Sequence, residues 1–225
     1  MCGRFTRQYT WAELHALYML SVGFENERSN LQPRYNICPT TTIDAVVERD
    51  GKRAVEEMRW GLVPSWWKKT LKELPATFNA RAETVAEKPM FRAAFKRNRC
   101  IIPASGYYEW TATADKKKQP HYFTRRDGEI ISIAGLYEEW KNPETGKPQR
   151  SCTMIIGAAN NFVSPLHDRM PIILERDQFS SWLEGSAGVE VLRAADDDVL
   201  QEHAVSMRVN SSRADENDPT LIERY

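Results

Sequence analysis

KPMFRAAFKRNRCIIPASGYYEWT, residues 88–111, changes within 24 residues from the pattern of a helix to that of strands. Its first half has the period of a short amphipathic helix, with Phe91 and Phe95 on one side and basic side chains on the other. From Cys100 onwards it changes to short apolar runs rich in Ile and Tyr, which are typical of strands. A helix that leads into adjacent strands, without a Gly-rich phosphate loop, predicts an α+β domain and not a βαβ nucleotide-binding fold.

Local signals elsewhere in the chain predict further helices and strands. Thr10 and Glu13 have the spacing of a capping box, which predicts a helix that begins there and ends near Leu20. Asp50 and Gly51 separate two alternating runs, which predicts a β-hairpin. Two more helices are predicted near residues 176–183 and 195–202, and further strands at HYFTRR (121–126), EIISIAGLY (129–137), CTMIIGA (152–158) and HAVSMRV (203–209).

These elements together predict one domain that spans residues 1–225. Many short strands and few short helices predict a mixed, mainly antiparallel sheet that is curved or barrel-like. The polar stretch from about Asn210 predicts a loosely held tail, because terminal segments are ordered only where something ties them down.

The composition is that of a globular protein with an ordinary core, since hydrophobic residues make up 41% of its 225 residues. Residues 2–8 lack the apolar segment of a secretory signal and no run reaches transmembrane length, so we expect a cytoplasmic protein that does not bind membranes. The four cysteines form no C-x-x-C pair, which argues against zinc and, in a reducing compartment, against disulfides. We therefore predict no metal or cofactor, and expect Cys38, Cys100 and Cys152 to be small core residues.

Charge is unevenly distributed along the chain although its formal net charge is zero. Residues 1–99 hold 17 Lys and Arg against 11 Asp and Glu, whereas residues 190–225 hold 4 against 9. On the predicted helix of residues 88–99, Arg92, Lys96 and Arg99 share one face. This face predicts a local binding surface for phosphates, with an ordinary solvated helix face as the alternative.

Cys2 directly follows Met1, so that removal of Met1 leaves a thiol and a free α-amine on adjacent carbons. An α-amine has a pKa of about 7.7–8.0 against about 10.4 for lysine, so a useful neutral fraction exists at pH 7. Such an amine attacks an aldehyde to give a Schiff base, and the neighbouring thiol then closes a five-membered thiazolidine ring. Gly3 has no side chain, which lets a ligand backbone approach Cys2 closely.

Other polar or aromatic residues stand where the surrounding sequence is unusual for them. Asn79 follows Phe78, Glu109 lies between two aromatic residues in a predicted strand, and His167 precedes an apolar strand. The alternatives are that Asn79 caps a turn, that Glu109 points outward and that His167 is a structural histidine. Trp66 and Trp67 lie in a Pro-marked loop before two lysines, an arrangement on which single-stranded bases stack, or else are half-buried core.

Six stretches resemble, in order, the motifs of the SOS-response-associated peptidase (SRAP) family, from Cys2 to about Asn210: MCGR, PRYNICP, RWGLVPSWW, FNARAET, KPMFRAAFKRNRCIIPASGYYEW and HDRMP. The resemblance implies a protein that binds abasic sites in single-stranded DNA and crosslinks to the ring-opened sugar through Cys2. It would thereby shield the lesion during the DNA damage and SOS response. By the same resemblance the catalytic residues are Cys2, Asn79, Glu109 and His167, and the DNA-binding residues are Gly3, Arg4, Asn36, Pro39, Trp66, Trp67, Arg81 and Arg169.

Each catalytic residue then has an expected task in lyase-like Schiff-base chemistry. Glu109 would shuttle protons, His167 would open the sugar ring or hold its hydroxyl, and Asn79 would orient the amine of Cys2. The family name attributes removal of Met1 to self-proteolysis, a hydrolase activity, although we expect an ordinary aminopeptidase to suffice. The expected partner is single-stranded DNA with abasic sites, and the expected state is a monomer.

Two other functions are also compatible with the sequence. N-terminal-nucleophile glutamine amidotransferases also begin with Cys-Gly after Met, and DGEI at residues 127–130 faintly resembles their Asn-Gly-Glu segment. The chain lacks their Arg-Gly-Pro-Asp stretch, however, and has Asp127 in place of the asparagine. The other alternative is a non-covalent single-strand binder that uses Trp66, Trp67 and the basic helix.

Overall fold

A computed structural model describes residues 2–21, 31–113 and 117–225. The strands in these ranges are β1 (Phe5–Arg7), β2 (Arg34–Ile37), β3 (Thr42–Arg49), β4 (Lys52–Trp60), β5 (Asn79–Arg81), β6 (Arg99–Ala104), β7 (Gly106–Ala112), β8 (Lys118–Arg125), β9 (Ile131–Lys141), β10 (Pro148–Ala158), β11 (Arg169–Pro171) and β12 (Leu200–Ala204). The α-helices are α1 (Trp11–Tyr18), α2 (Arg92–Arg97) and α3 (Phe179–Glu184). Short 3₁₀ helices occupy Leu71–Glu73, Arg176–Gln178, Val189–Val191, Met207–Asn210 and Pro219–Ile222.

Helix α1 begins as its sequence predicts. The Thr10 side chain accepts a hydrogen bond from the backbone of Glu13, and the Glu13 side chain accepts one from the backbone of Thr10. The helix ends at Tyr18, slightly before the predicted Leu20, because Met19 adopts a left-handed conformation with φ 52°. None of the helices in the described ranges has the length and apolar character needed to cross a bilayer.

The hairpin of β3 and β4 is also confirmed. Asp50 and Gly51, the two turn residues, both have positive φ, at 52° and 71°. These values belong to the tight turns whose twist matches that of the flanking strands, and they set the register at Val46 opposite Val55.

Five strands close into a barrel-like sheet. The pairings run from β10 to β4, β3, β6 and β9 and return to β10, with only the β10–β4 pairing parallel. Strands β5 and β11 extend this sheet by pairing with the C-terminal half of β10. Strand β5 pairs in parallel and β11 antiparallel. The second sheet has five strands in the order β12, β8, β7, β1, β2, and all its pairings are antiparallel.

Both faces of β6 are buried, which explains its continuous apolar run. On β6, Cys100 and Ile102 pack into a core shared with the second sheet, while Ile101 faces a core formed with the helices. Cys152 is buried as predicted, but Cys38 is only half-buried. The structure therefore confirms the predicted α+β domain with a barrel-like sheet and few short helices.

The basic helix differs from its prediction. Helix α2 ends at Arg97, and Arg99 is the first residue of β6, where it is only 6% exposed. The Arg99 guanidinium lies 4.5 Å from the ring centres of both Phe95 and Trp182 and donates to the carbonyls of Phe95 and Ala187. Arg99 is thus part of the core, because aromatic faces and carbonyls replace the water that its charge needs. The exposed basic side chains of this region are Lys88, Arg92, Lys96 and Arg97.

The C-terminal region also corrects two predictions. The helix predicted at residues 195–202 is wrong, because Leu200–Ala204 forms the edge strand β12, antiparallel to β8. The strand predicted at residues 203–209 ends at Ala204, and a 3₁₀ helix begins at Met207. Pairing with β8 satisfies the backbone and overrides the local helical pattern.

The tail from Asn210 lies against the second sheet, where the sequence predicts a loose end. Its Asn210 side chain accepts a hydrogen bond from Trp110 Nε1 at 2.6 Å. The Tyr35 amide donates to the carbonyl of Glu216 at 2.6 Å, and the Tyr225 amide donates to Ala204 at 2.9 Å. Backbone hydrogen bonds thus tie the tail to both edge strands, β2 and β12.

Candidate active site

The four residues predicted to be catalytic come from distant parts of the chain and meet where the two sheets adjoin. Cys2 precedes β1, which pairs with the strand of Glu109, β7. Asn79 begins β5 and His167 precedes β11, and both of these strands pair with β10. Asn79 Nδ2 donates to the Cys2 carbonyl at 2.8 Å, and His167 Nε2 lies 3.7 Å from Glu109 Oε2. The structure therefore brings these residues into one site.

Cys2 is completely buried at this site. Its Sγ lies 4.0 Å from the carbonyl oxygen of Arg4. Burial raises the pKa of the Cys2 thiol well above its usual range, and the negative charge of Glu109 raises it further. The thiol is therefore protonated at neutral pH and needs a base before it can act as a nucleophile.

Glu109 points into the interior, so the alternative that it faces outward from its strand is wrong. The side chain is 1% exposed, and burial raises its pKa to about 7. Its neighbours Tyr108 and Trp110 lie on the opposite face of β7, where the Tyr108 hydroxyl donates to the carbonyl of Tyr35 at 2.7 Å. A carboxyl group with a pKa near 7 both gives and takes a proton readily at neutral pH.

His167 is held by both backbone groups of Arg169. Its Nδ1 lies 3.0 Å from the Arg169 amide nitrogen and 3.1 Å from the Arg169 carbonyl oxygen. The amide donates to a bare Nδ1 and the carbonyl accepts from a protonated one, so the backbone supports either state of this nitrogen. Burial lowers the pKa of His167, which favours the neutral ring.

A tight turn in the segment before His167 positions this residue at the site. The Asn160 side chain accepts from the Val163 amide at 2.9 Å and donates to the carbonyl of Ala195 at 2.9 Å. The His167 amide in turn donates to the carbonyl of Val163 at 3.0 Å. This double role of Asn160 fixes the turn to the segment that leads into β12.

Two arginines predicted to bind DNA flank the site along the chain. Arg81 is exposed at the end of β5, two residues after Asn79. Arg169, two residues after His167, forms an ion pair with Glu83. Both arginines are thus near predicted catalytic residues in the sequence, and Arg169 already has a carboxylate partner.

A protein-family model described as SOS response associated peptidase (SRAP) matches residues 1–212 of the sequence. The chain belongs to the SRAP family. Abasic site processing protein YoqW of Bacillus subtilis (strain 168) is 34% identical over 230 residues and 100% of each chain. Abasic site processing protein YedK of Escherichia coli (strain K12) is 33% identical over 187 residues, or 81% of this chain and 79% of its own. A crystal structure of a protein from Bacteroides thetaiotaomicron is 26% identical and matches 100% of both chains with a TM-score of 0.88.

In this SRAP chain, two other residues predicted to contact DNA, Arg4 and Asn36, form hydrogen bonds within the protein. Arg4 donates to the Asn36 side chain at 2.8 Å and to the carbonyl of Val209 at 2.6 Å. Asn36 is 3% exposed and donates to the carbonyl of Ser211 at 3.0 Å. Both residues therefore help to fix the C-terminal segment. The remaining predicted contacts beside them, Gly3 and Pro39, are half-buried.

The tryptophan loop presents one aromatic side chain to solvent. Trp66 is 48% exposed, while Trp67 is half-buried and donates through Nε1 to the carbonyl of Thr70 at 3.1 Å. Trp140 Nε1 on β9 donates to the Trp67 carbonyl at 2.7 Å. The loop is therefore hydrogen-bonded to the barrel, and the Trp66 ring is exposed.

The sequence did not single out two further residues beside these groups: Tyr107 shares a core cluster with Cys2, and Glu83 pairs with Arg169. Side chains two apart on a strand share a face, so Tyr107 belongs on the same side of β7 as Glu109. That spacing was readable in the sequence. The pairing of Glu83 with Arg169 was not, because 86 positions separate the two residues.

Proposed function

We propose that this SRAP protein recognises abasic sites in single-stranded DNA and, once Met1 is removed, forms a thiazolidine crosslink through Cys2. The observation that carries the proposal is the shared site in which Asn79 holds Cys2 beside a buried Glu109 with a pKa of about 7. The names of YoqW and YedK, both abasic site processing proteins, support it. The crosslink would shield the lesion from cleavage.

The first step is addition of the Cys2 α-amine to the sugar aldehyde. The amine nitrogen bonds to the aldehyde carbon, and proton transfer gives a carbinolamine. Protonated Glu109 then supplies the proton with which the carbinolamine hydroxyl leaves as water, so that an iminium ion forms. Asn79 Oδ1 has no hydrogen-bond partner within the described ranges and is available to accept a hydrogen bond from the α-amine of Cys2.

The second step is ring closure by sulfur. The Glu109 carboxylate, having given up its proton, takes one from the Cys2 thiol. The sulfur electron pair forms the carbon–sulfur bond, and the π pair of the iminium returns to nitrogen as a neutral amine. The sequence releases one water and oxidises nothing. Because both nucleophiles belong to one residue, the second attack is intramolecular and gains from proximity.

His167 and the two arginines serve the substrate. As the sugar ring opens, the protonated form of His167 gives its Nε2 proton to the ring oxygen, the ring carbon–oxygen bond breaks, and the anomeric hydroxyl gives its proton to the Glu109 carboxylate, which lies 3.7 Å from that nitrogen. His167→Ala should slow crosslinking, and less so where the sugar ring is already open. Arg81 and Arg169 contact phosphates on either side of the lesion.

The test is a denaturing gel of the chain that begins at Cys2, mixed with a single-stranded oligonucleotide that carries one abasic site. We expect a shifted band that survives boiling in detergent. Cys2→Ala should give at most an adduct that borohydride must trap, and Cys2→Ser a weaker, labile one. The form that retains Met1 should give no stable product, because the amine of Met1 and the thiol of Cys2 cannot close a five-membered ring.

Three results would contradict the proposal. Equal yield from the form that retains Met1 would exclude the α-amine of Cys2. Retarded mobility on a native gel that disappears on boiling would identify a non-covalent single-strand binder. Release of ammonia from glutamine by the same preparation would instead support the amidotransferase alternative.

A further inference from the structure

The Tyr107 hydroxyl is a buried polar group whose role the sequence does not reveal. Tyr107 is 0% exposed, and its hydroxyl has no hydrogen-bond partner within the described ranges of the chain. Buried polar groups are nearly always hydrogen-bonded, so one that is not needs an explanation. The other two tyrosines in this part of the sheet are satisfied, Tyr108 by the Tyr35 carbonyl and Tyr122 by Thr6 and Gln8.

The strand places Tyr107 at the catalytic site. It lies two residues before Glu109 on β7, so both side chains point to the same face. It pairs with Phe5 of β1, the strand that Cys2 precedes, and it shares a core cluster with Cys2. Negative charge on Cys2 and on Glu109 adds to burial in raising the pKa of Tyr107 well above its usual range.

The ring of Tyr107 is held rigidly by its neighbour on β8. It stacks on Phe123 with ring centres 5.0 Å apart and an angle of 8° between the planes. The hydroxyl therefore cannot reach solvent and form a hydrogen bond there unless the ring leaves this stack. A hydroxyl fixed in this way gains a hydrogen-bond partner only when a ligand binds at the site or when a neighbouring group changes its charge.

We propose that Tyr107 is a further catalytic residue, whose hydroxyl donates a hydrogen bond to the Cys2 sulfur as it becomes a thiolate. This inference rests on the proposed crosslinking function. The thiol proton goes to Glu109, the sulfur pair closes the carbon–sulfur bond, and Tyr107 keeps its own proton throughout. A hydrogen bond to a charged sulfur offsets part of the cost of forming a thiolate in a buried site. Imine formation, which does not involve sulfur, proceeds without it.

The experiment separates the two steps in Tyr107→Phe, which keeps the stacked ring and removes only the hydroxyl. Imine formation is measured by borohydride trapping, and ring closure by the detergent-stable adduct in single turnover. We expect imine formation at the wild-type rate and ring closure slower by on the order of tenfold to a hundredfold, as befits one hydrogen bond to a charged group. The melting temperature should stay unchanged or rise, because the variant no longer buries a hydroxyl group that has no hydrogen-bond partner.

Tyr108→Phe is the matched control, on the opposite face of the same strand. It loses a hydrogen bond to Tyr35 and should melt earlier, while both rates stay at the wild-type value. Equal rates of ring closure in Tyr107→Phe and wild type would overturn the inference, and so would equal slowing of both steps, which a displaced strand would cause. If the wild-type protein itself forms no adduct, that result overturns the proposed function, and this inference with it.

Discussion

At the scale of single residues, the ionisation of Glu109 links stability to pH. Its pKa rises from an ordinary 4.5 to about 7 on folding, so the folded protein binds this proton more tightly than the unfolded chain. The contribution is fully present below about pH 4.5 and is lost as the pH rises through 7. Relative to Glu109→Gln, wild type should lose about 3 kcal/mol of unfolding free energy over that interval. Urea denaturation at several pH values measures this difference.

The same substitution should slow crosslinking by roughly 10²–10⁴, because glutamine cannot exchange a proton. Glu138→Gln is the control, since Glu138 is also buried and burial raises its pKa as well, but it lies on β9 outside the site. It should alter the pH dependence of stability and leave the single-turnover rate unchanged. A Glu109→Gln variant with lower stability and a normal rate would mean that Glu109 is structural.

Arg81 and Glu83 should act on DNA binding in opposite directions. Arg81→Ala removes an exposed cation, so it should weaken binding to intact and abasic strands alike and lower the salt slope by about 0.7. Glu83→Gln removes the carboxylate that occupies Arg169 and should strengthen binding. Fluorescence anisotropy over a range of salt concentrations measures both. Arg176→Ala, an exposed arginine paired with Glu129, should change neither, and an unaltered slope in Arg81→Ala would show that Arg81 contacts no phosphate.

At the scale of elements, the tryptophan loop is hydrogen-bonded to the barrel and has one exposed ring, which we expect to stack on a base. Trp66→Ala should cost about 1–3 kcal/mol of affinity for single-stranded DNA, the usual value of one stacked base, and leave the melting temperature unchanged. Trp140→Phe keeps the core ring but loses the bond to the Trp67 carbonyl, so it should lower both stability and affinity. Met19→Ala, on a residue 77% exposed, serves as the control. Wild-type affinity in Trp66→Ala would exclude stacking there.

At the scale of the whole molecule, the C-terminal tail is part of the folded domain. A chain that ends at Ser211 loses the buried Leu221, the ion pair of Arg34 with Glu216 and the backbone bonds of Glu216 and Tyr225. We expect its unfolding free energy to fall by roughly 3 kcal/mol or more. Chemical denaturation measures the loss, with Arg213→Ala in the same segment as an exposed control. A truncated chain of wild-type stability would support the loose tail that the sequence predicts.

The sequence alone determined the features whose causes lie within a few residues. The capping box at Thr10 and the left-handed turn at Asp50-Gly51 follow from local hydrogen bonds and backbone sterics, and both are found as predicted. The apolar strands also follow, because a run that alternates between two buried faces needs no polar partner. The ordered motifs, from MCGR to HDRMP, were enough to identify the family.

Only the tertiary structure decided what each polar side chain meets. Glu109 points inward and meets Cys2 and His167, which are 107 and 58 positions away in the chain. Arg99 is buried because Trp182 and Ala187 supply a ring and a carbonyl from distant segments. Residues 200–204 form a strand because β8 offers free backbone groups at its edge. Burial, charge pairing and strand pairing depend on partners far away in sequence, which local patterns do not record.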